Sequence, residues 1–380
     1  MKRNTLWKSV ALTGIAYGAL SSVGFAIIRH TPAPVIDAPE PPQATKPVIG
    51  IVTPAAGSWN PLGIVNVDGY PFDATPGSSI KKPPLGPTSK TFFQSGLYTS
   101  PDLPLGNFMR IENTPTTNVK TKAPGGQAHY HEFYEWGYTL KGDSVMFEPV
   151  TPFQKSSVLY HKKEGGWLDR PPYSLHSGGY ETGGLRDQFP YNLIIFEEGD
   201  GHLAFVGPKP GEPGRYRSRN GEGPPPNVSG DWRKVKSFSR PWFIDTASAG
   251  DWEEDDEVPG RFVKWLSEDI DAGFRSRLVK IPPGWTAPAD MMKTYNEQAN
   301  VLRYVIWGSM KVWQFTGPKD SGKAYKVGEE YFIYQPPRGI WGYGPGPVTN
   351  EGAIWLEVTY AKGFAHSPGS GPIEEAKKLN

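Results

Sequence analysis

Short apolar stretches separated by glycine and proline run along most of the chain. Residues 108–111, 144–147 and 157–160 are examples, and residues 192–196 form a continuous apolar run. Such a run, bounded by turn residues, is typical of a strand that is buried on both faces. Nothing in this region shows the spacing of an amphipathic helix. The pattern therefore predicts an all-β sandwich or barrel, a class to which the jelly roll belongs.

The same pattern returns in the second half of the chain. Residues 276–281, 301–306 and 310–315 are short apolar stretches with turn residues between them. A stretch rich in glycine and proline, residues 207–230, separates them from the first series. We interpret this stretch as a linker or a long loop and the later strands as a second barrel, which repeats the first at the level of the fold.

The N-terminus differs from the rest of the chain. Lys2, Arg3 and Lys8 precede residues 9–28, which carry no charge and are long enough to span a bilayer as a helix. The same pattern fits a secretory signal with a weak cleavage site at residues 24–26. Cleavage and retention as a membrane anchor stay equally open. In both cases the folded part is predicted to be exported, to the periplasm or the extracellular space.

Composition narrows the class of protein further. The 380 residues include 45 glycines, 40 prolines and 13 tryptophans, a profile of turn-rich β proteins with aromatic packing. The formal net charge is +1, and no long basic run is present, so a nucleic-acid partner is not expected. Cysteine is absent, which excludes disulfides and thiolate catalysis. A homo-oligomer is compatible with the sequence.

Two histidines one residue apart are the centre of the candidate chemistry. In an extended strand His129 and His131 project from the same face, about 6.5–7 Å apart along the chain. Glu135 follows four residues after His131, and His176 comes much later, after a proline-rich turn. Imidazoles that converge with a carboxylate suit one divalent transition metal, namely Fe, Mn, Ni, Cu, Co or Zn.

This block resembles the first motif of the cupin superfamily. That motif is Gly, five residues, His-x-His, three or four residues, Glu, six residues, Gly. His129, His131, Glu135 and Gly142 fit this register without a gap. Only the leading glycine departs from the motif, because Ala123 holds its position.

A later block is similar to the second cupin motif, which is Gly, five residues, Pro-x-Gly, two residues, His. Gly165, Pro171 and His176 fit, whereas Tyr173 replaces the inner glycine. The resemblance implies two jelly-roll cupin barrels in tandem. By the resemblance, the metal ligands are His129, His131, Glu135 and His176.

The second barrel is expected to be a degenerate cupin without a metal. Pro337 and Gly339 repeat the inner Pro-x-Gly, but the ligand positions are changed. We place Asp290 and Met292 at the His-x-His positions, Gly342 at the last histidine, and Glu297 as the one residue that could match the glutamate. The predicted organisation is signal peptide or anchor (1–30), Pro-rich linker (31–60), metal-binding domain with an N-terminal extension (61–206), linker (207–240), degenerate domain (241–365) and tail (366–380).

Three functions follow as hypotheses. The resemblance implies first a metal-dependent oxygenase of the dioxygenase type, with iron and dioxygen, acting on a small organic substrate that could be aromatic. Tyr173, Phe133 and Tyr138 are the candidate substrate-binding residues, because they crowd the two motifs. The alternatives are a non-oxidative lyase, decarboxylase or isomerase at the same site, and a non-catalytic protein that binds or senses a ligand. The ligand set alone does not choose between them.

Overall fold

The computed structural model describes slightly more than half of the chain, and all described residues belong to one compact unit spanning residues 34–380. Side chains are described for part of these residues. The described residues are 37–44, 48–51, 57–68, 88–100, 103–114, 129–130, 134–149, 157–170, 191–198, 205–206, 242–245, 252–269, 273–361, 373 and 375–379.

The described residues form β-strands, with one 3-10 turn at Ala289–Met291. The strands are β1 (Val48–Ile49), β2 (Gly63–Asn66), β3 (Thr88–Ser100), β4 (Leu103–Thr114), β5 (His129–Tyr130), β6 (Glu135–Pro149), β7 (Ser157–Lys163), β8 (Gly166–Arg170), β9 (Tyr191–Glu198), β10 (Phe205–Val206), β11 (Trp242–Asp245), β12 (Glu253–Glu254), β13 (Phe262–Asp269), β14 (Phe274–Ile281), β15 (Thr294–Tyr295), β16 (Asn300–Gly308), β17 (Met310–Phe315), β18 (Lys323–Val327), β19 (Tyr331–Gln335), β20 (Ile340–Gly342), β21 (Ala353–Tyr360) and β22 (Lys377–Lys378).

The predicted all-β class is confirmed, and the fold is two jelly-roll sandwiches in tandem. In the first sandwich the large sheet has the order β1-β3-β4-β9-β6-β8-β11, β7 pairs with β6, and β5 pairs with β10. In the second, a sheet of order β12-β13-β14-β21-β16-β19-β2 faces a sheet of order β18-β17-β20-β15-β22. The stretches predicted from their apolar residues all lie within strands, and all of these strands except β17 extend further than the sequence pattern indicated.

The core of the second sandwich lies between its two sheets. Val279, Val305 and Trp355 of the large sheet are buried against Val312 and Val327 of the smaller one. Side chains alternate between the two faces of a strand, so these residues mark the inward face of β14, β16 and β21. The neighbouring residues on the same strands therefore point out of the sandwich.

The outward face of the second large sheet is also buried, because it packs on the first sandwich. Trp136 of β6 donates a hydrogen bond from Nε1 to the Tyr360 hydroxyl of β21, at 2.7 Å. Phe196 lies 5.3 Å from the same tyrosine ring, and Phe92 lies 4.9 Å from Phe332. Both faces of this sheet therefore carry buried aromatic residues, such as Trp355 on the inward face and Tyr360 on the outward face.

The two sandwiches exchange strands. β2 lies between β1 and β3 of the first sandwich in the chain but pairs with β19 of the second, with Phe332 opposite Val65. β11 follows the first sandwich and pairs with β8, with Phe243 opposite Leu168. A strand from the N-terminal part of the chain thus completes the second sandwich. The predicted domain boundaries stay predictions.

Within the described part of the chain, no helix has both the length and the apolar character that a membrane crossing requires. Residues 9–28, predicted to be a signal or an anchor, lie outside that part, as does the predicted linker at 207–230.

Candidate functional site

Most of the predicted metal centre lies outside the described residues. This holds for His131 and His176, and also for the candidate substrate residues Phe133 and Tyr173. His129 is described through its backbone, which forms β5 and pairs with Val206. No group of three potential metal-binding side chains occurs among the described residues. The ligand set therefore stays a prediction, except that the surroundings of Glu135 are described.

Glu135 is the first residue of β6 and its side chain is buried, with 6 % of the residue exposed. It pairs with Arg170 of β8 on one side and with Glu197 of β9 on the other. The Arg170 guanidinium donates a hydrogen bond from Nη1 to Glu135 Oε1, and Arg170 is buried as well. A buried carboxylate that is paired with a guanidinium is held as an anion in a defined orientation.

Glu135 and the aromatic residues beside it lie on opposite faces of β6. Trp136 and Tyr138 belong to the core between the two sandwiches, together with Trp167 and Phe196. Glu135 has the opposite parity, so it points into the first sandwich. Tyr138 therefore packs between the sandwiches, and this placement gives its predicted substrate-binding role no support.

The described residues fit a metal at this end of the first sandwich. Glu135 supplies a buried, charged oxygen donor in the sandwich interior, which is the kind of ligand that divalent metals take alongside imidazole. Arg170 fits the position behind a metal-binding carboxylate, where its hydrogen bond fixes the orientation of Glu135.

Two turns relate the first sandwich to the second residue by residue. Gly142, within β6, and Gly308, the last residue of β16, both have a positive φ, 82° and 75°. Gly165 and Glu330, with φ of 84° and 65°, precede β8 and β19. The Gly165 amide donates to the Thr139 carbonyl at 2.9 Å, and the Glu330 amide donates to the Val305 carbonyl at 3.0 Å.

This register places Val301 at the position of Glu135. Glu135 precedes Gly142 by seven residues and Val301 precedes Gly308 by the same number, and each lies opposite the last residue of its neighbouring strand. Arg170 of β8 accordingly corresponds to Gln335 of β19. The buried carboxylate of the first sandwich is thus replaced by an apolar side chain.

The register corrects the motif alignment made from sequence in the second barrel. Glu330 occupies the position of the leading glycine, Gly165. The same spacing, counted from Glu330, places Pro336, Arg338 and Trp341 at the positions that Pro171, Tyr173 and His176 hold in the first sandwich. The alignment through Pro337, Gly339 and Gly342 was one residue out, because the left-handed turn residue here is a glutamate. Glu297 likewise does not hold the position of Glu135, which belongs to Val301.

A cluster of buried charged residues lies in the second sandwich, at the end that corresponds to the position of Glu135 in the first. We call it the arginine cluster, and Glu357 of β21 lies at its centre. Glu357 Oε1 accepts hydrogen bonds from Arg277 Nε at 2.9 Å and Nη2 at 2.7 Å, and Oε2 accepts one from Arg303 Nε at 2.8 Å. Arg261 Nε donates to Asp255 Oδ2 at 2.6 Å. The cluster comprises Arg261, Arg277, Arg303, Asp255 and Glu357.

The opposite charges of the cluster stabilise one another in their ionised forms. Burial alone raises the pKa of Glu357, but Arg277, Arg303 and Arg261 outweigh it and hold that pKa well below its ordinary value of 4.5. Burial lowers the pKa of Arg277, and Glu357, Glu257 and Asp255 more than reverse this, so its pKa is raised. Guanidinium groups stay protonated in proteins, so all three arginines carry charge at neutral pH.

A cavity of about 200 Å³ lies against the arginine cluster. Arg261, Arg277 and Arg303 form its charged wall, and Val301, Met291 and Trp341 form an apolar one. Glu257, with a side chain 49 % exposed, and Glu375 of the C-terminal segment stand at its rim. Sequence reasoning placed strands here but missed the cavity. The available signal was charge at inward positions of otherwise apolar strands, as at Arg277, Arg303 and Glu357.

No family model and no curated protein matches the chain. Solved structures do match, and oxalate decarboxylases are among them. One, solved to show a substrate-binding mode and a switch in reaction specificity, is 13 % identical and has a TM-score of 0.44, covering 86 % of this chain and 81 % of that one. The Lactobacillus farciminis enzyme with formate is 15 % identical at a TM-score of 0.43, covering 78 % and 85 %. A variant of the Bacillus subtilis enzyme is 14 % identical at 0.44, covering 86 % and 81 %. At such identities and scores, the likeness does not establish a family or a reaction for this chain.

Proposed function

We propose that the chain is an exported metal-dependent enzyme of the cupin type, with its metal in the first sandwich. His129, His131, Glu135 and His176 would hold the metal. The observation that carries the proposal is Glu135, because a carboxylate predicted to be a ligand is buried in the sandwich interior and held there by Arg170. Burial of a carboxylate requires compensation of its charge, and Arg170 supplies it here.

A bound divalent metal supplies a Lewis acid that polarises a carboxylate or carbonyl group of the substrate. The chain's own residues prepare for this. The ion pair with Arg170 orients the carboxylate of Glu135. The packed aromatic face behind β6, with Trp136 and Trp167 stacked at 5.1 Å, keeps the strand rigid and excludes water.

We infer that the reaction is non-oxidative and that the substrate is a small organic carboxylate. A divalent metal held by three neutral imidazoles and the one carboxylate of Glu135 would keep a net positive charge, which favours an anionic substrate over a neutral one. An aromatic substrate is less favoured, because Trp136, Tyr138 and Trp167 pack between the sandwiches. A lyase, decarboxylase or isomerase fits these observations.

The iron-dependent oxygenase is the rival function. The sequence feature that favours it is Tyr173, which the motif places next to His176. The donor set itself has no preference for iron, since imidazole and carboxylate also suit manganese, nickel, copper and zinc.

Metal content of the purified full chain is the first test. Near-stoichiometric transition metal is expected in the wild type and in His202→Ala, which lies outside both motifs, and none in His176→Ala or Glu135→Gln. Metal retained in both ligand variants would refute the site. Turnover of small carboxylates, oxalate among them, is then followed with an oxygen electrode and by product analysis. Product without oxygen uptake supports the non-oxidative reaction, and stoichiometric uptake supports the oxygenase. A metal-loaded protein that binds these acids but converts none would be a binding protein.

A further inference from the structure

The cavity of the second sandwich has the properties of an anion site. Three buried guanidinium groups, those of Arg261, Arg277 and Arg303, face two buried carboxylates, those of Asp255 and Glu357. Glu257, whose side chain is 49 % exposed, adds a third carboxylate, 3.2 Å from Arg277 Nη2. Arg275 also lines the cavity, and Glu375 lies at its exposed rim.

One guanidinium donor of the cluster is left over. Arg277 is 5 % exposed, and its Nη1 atom makes no hydrogen bond within the described part of the chain. Asp255 Oδ2 lies 3.7 Å from it, which is beyond hydrogen-bond reach. A buried charged donor without an acceptor costs free energy that a bound oxyanion would recover.

The remaining walls indicate an organic anion. Val301, Met291 and Trp341 offer apolar surface beside the arginines, and Arg303 lies 4.2 Å from the centre of the Trp341 ring. Thr294 and Asn296 also reach the cavity and offer neutral polar groups. An inorganic anion would leave the apolar wall unused, whereas a small carboxylic acid would fill both halves.

We propose that the second sandwich binds a small organic monocarboxylate, without a metal, through Arg277 and its neighbours in the arginine cluster. This site is distinct from the proposed metal centre and does not depend on it. The carboxylate accepts a hydrogen bond from Arg277 Nη1, and the hydrocarbon part contacts Val301 and Trp341.

Calorimetric titration of the full chain tests the proposal, with propionate as the probe. Propionamide has the same shape without the charge, and sulfate has charge without the hydrocarbon part. We expect saturable binding of propionate and binding at least about tenfold weaker for both comparators, since a charged hydrogen bond is worth about that much. Equal binding of propionamide overturns the charge argument, and equal binding of sulfate overturns the organic one.

Variants locate the site. Thr359→Met fills the cavity and Val301→Glu adds a carboxylate beside the arginines, so each should weaken propionate binding at least about tenfold. Thr286→Met, on an exposed residue outside the cavity, is the matched control and should bind normally. Thermal melts verify that each variant is folded. Because two variants alter the cavity, the test still applies if one of them does not fold. Binding that survives in both folded cavity variants overturns the proposal.

His176→Ala separates this site from the proposed metal centre. Propionate binding is expected to persist in that variant even though metal is lost. If binding disappears in His176→Ala and persists in Thr359→Met, the carboxylate binds in the first sandwich and the inference is overturned while the proposed function stands. If His176→Ala changes neither metal content nor propionate binding, the proposed function fails and this inference stands.

Discussion

The large sheets of the two sandwiches correspond in strand order and share two turns, but the chemistry at the same end differs. In the first, the inward position of β6 is Glu135, paired with Arg170. In the second, Val301 takes that position, and the charges have moved to Arg277, Arg303 and Glu357 further along the strands. A jelly roll thus keeps its backbone while the residues at a few inward positions decide between a proposed metal and a proposed anion.

The arginine cluster is expected to contribute more to the free energy of unfolding than any other feature in which the two sandwiches differ. Glu357→Ala leaves Arg277 and Arg303 buried without their shared carboxylate, so we expect a loss of about 3–5 kcal/mol in the free energy of unfolding. Urea denaturation measures it. Glu351→Ala, which removes an exposed carboxylate bonded to Ser309, should cost under about 0.5 kcal/mol. A loss below about 1 kcal/mol for Glu357→Ala would show that the cluster is not a structural unit.

Arg170 and Gln335 hold corresponding positions and should differ in their effect on metal. Arg170→Met is expected to weaken metal affinity about 10–100-fold, because the carboxylate of Glu135 loses the group that orients it. Gln335→Met loses a bond from Arg303 at 2.9 Å but should leave metal affinity unchanged. Competition with a chromophoric chelator gives both affinities. Equal affinities in the two variants would contradict the positioning role.

The pH dependence of stability should also identify Glu357. Its pKa is lowered in the folded chain, so the unfolded chain binds the proton first as pH falls below the ordinary value of 4.5. The stabilisation by Glu357 is therefore complete above about pH 4.5 and is lost as pH falls towards the folded-state pKa. Between about pH 4.5 and 2, Glu357→Gln should lose stability less steeply than the wild type, as measured by urea denaturation at each pH. Parallel curves would show that the carboxylate is not held ionised.

The corresponding turns should give the smallest effect. Glu330 has a φ of 65°, a conformation that favours glycine, whereas Gly165 in the first sandwich already is one. Glu330→Gly is expected to stabilise the chain by about 0.5–1 kcal/mol, and Gly165→Glu to destabilise it by about 1 kcal/mol. Thermal denaturation of both variants checks the pair. The same sign for both changes would refute the correspondence of the two turns.

Much of the fold could be predicted from the sequence, but little of the second site. The strands around residues 192–196 and 301–306 were evident, since apolar runs of this length between turn residues are typical of buried strands. The motif register in the second barrel failed by one residue, because Glu330 occupies a turn that sequence reasoning reserves for glycine. The arginine cluster was missed because its ion pairs join residues far apart in the chain, such as Arg277 and Glu357.

The sequence by itself determined the all-β class, the tandem repeat and the spacing of His129, His131, Glu135 and His176, because these depend on local periodicity and on residue counts. Only the tertiary structure showed which buried face of a strand points into its own sandwich and which face packs against the other sandwich. Trp136 and Tyr138 pack between the sandwiches while Glu135 points into one of them. Alternation shows that neighbouring residues lie on opposite faces, but when both faces are buried it cannot show which one faces the site.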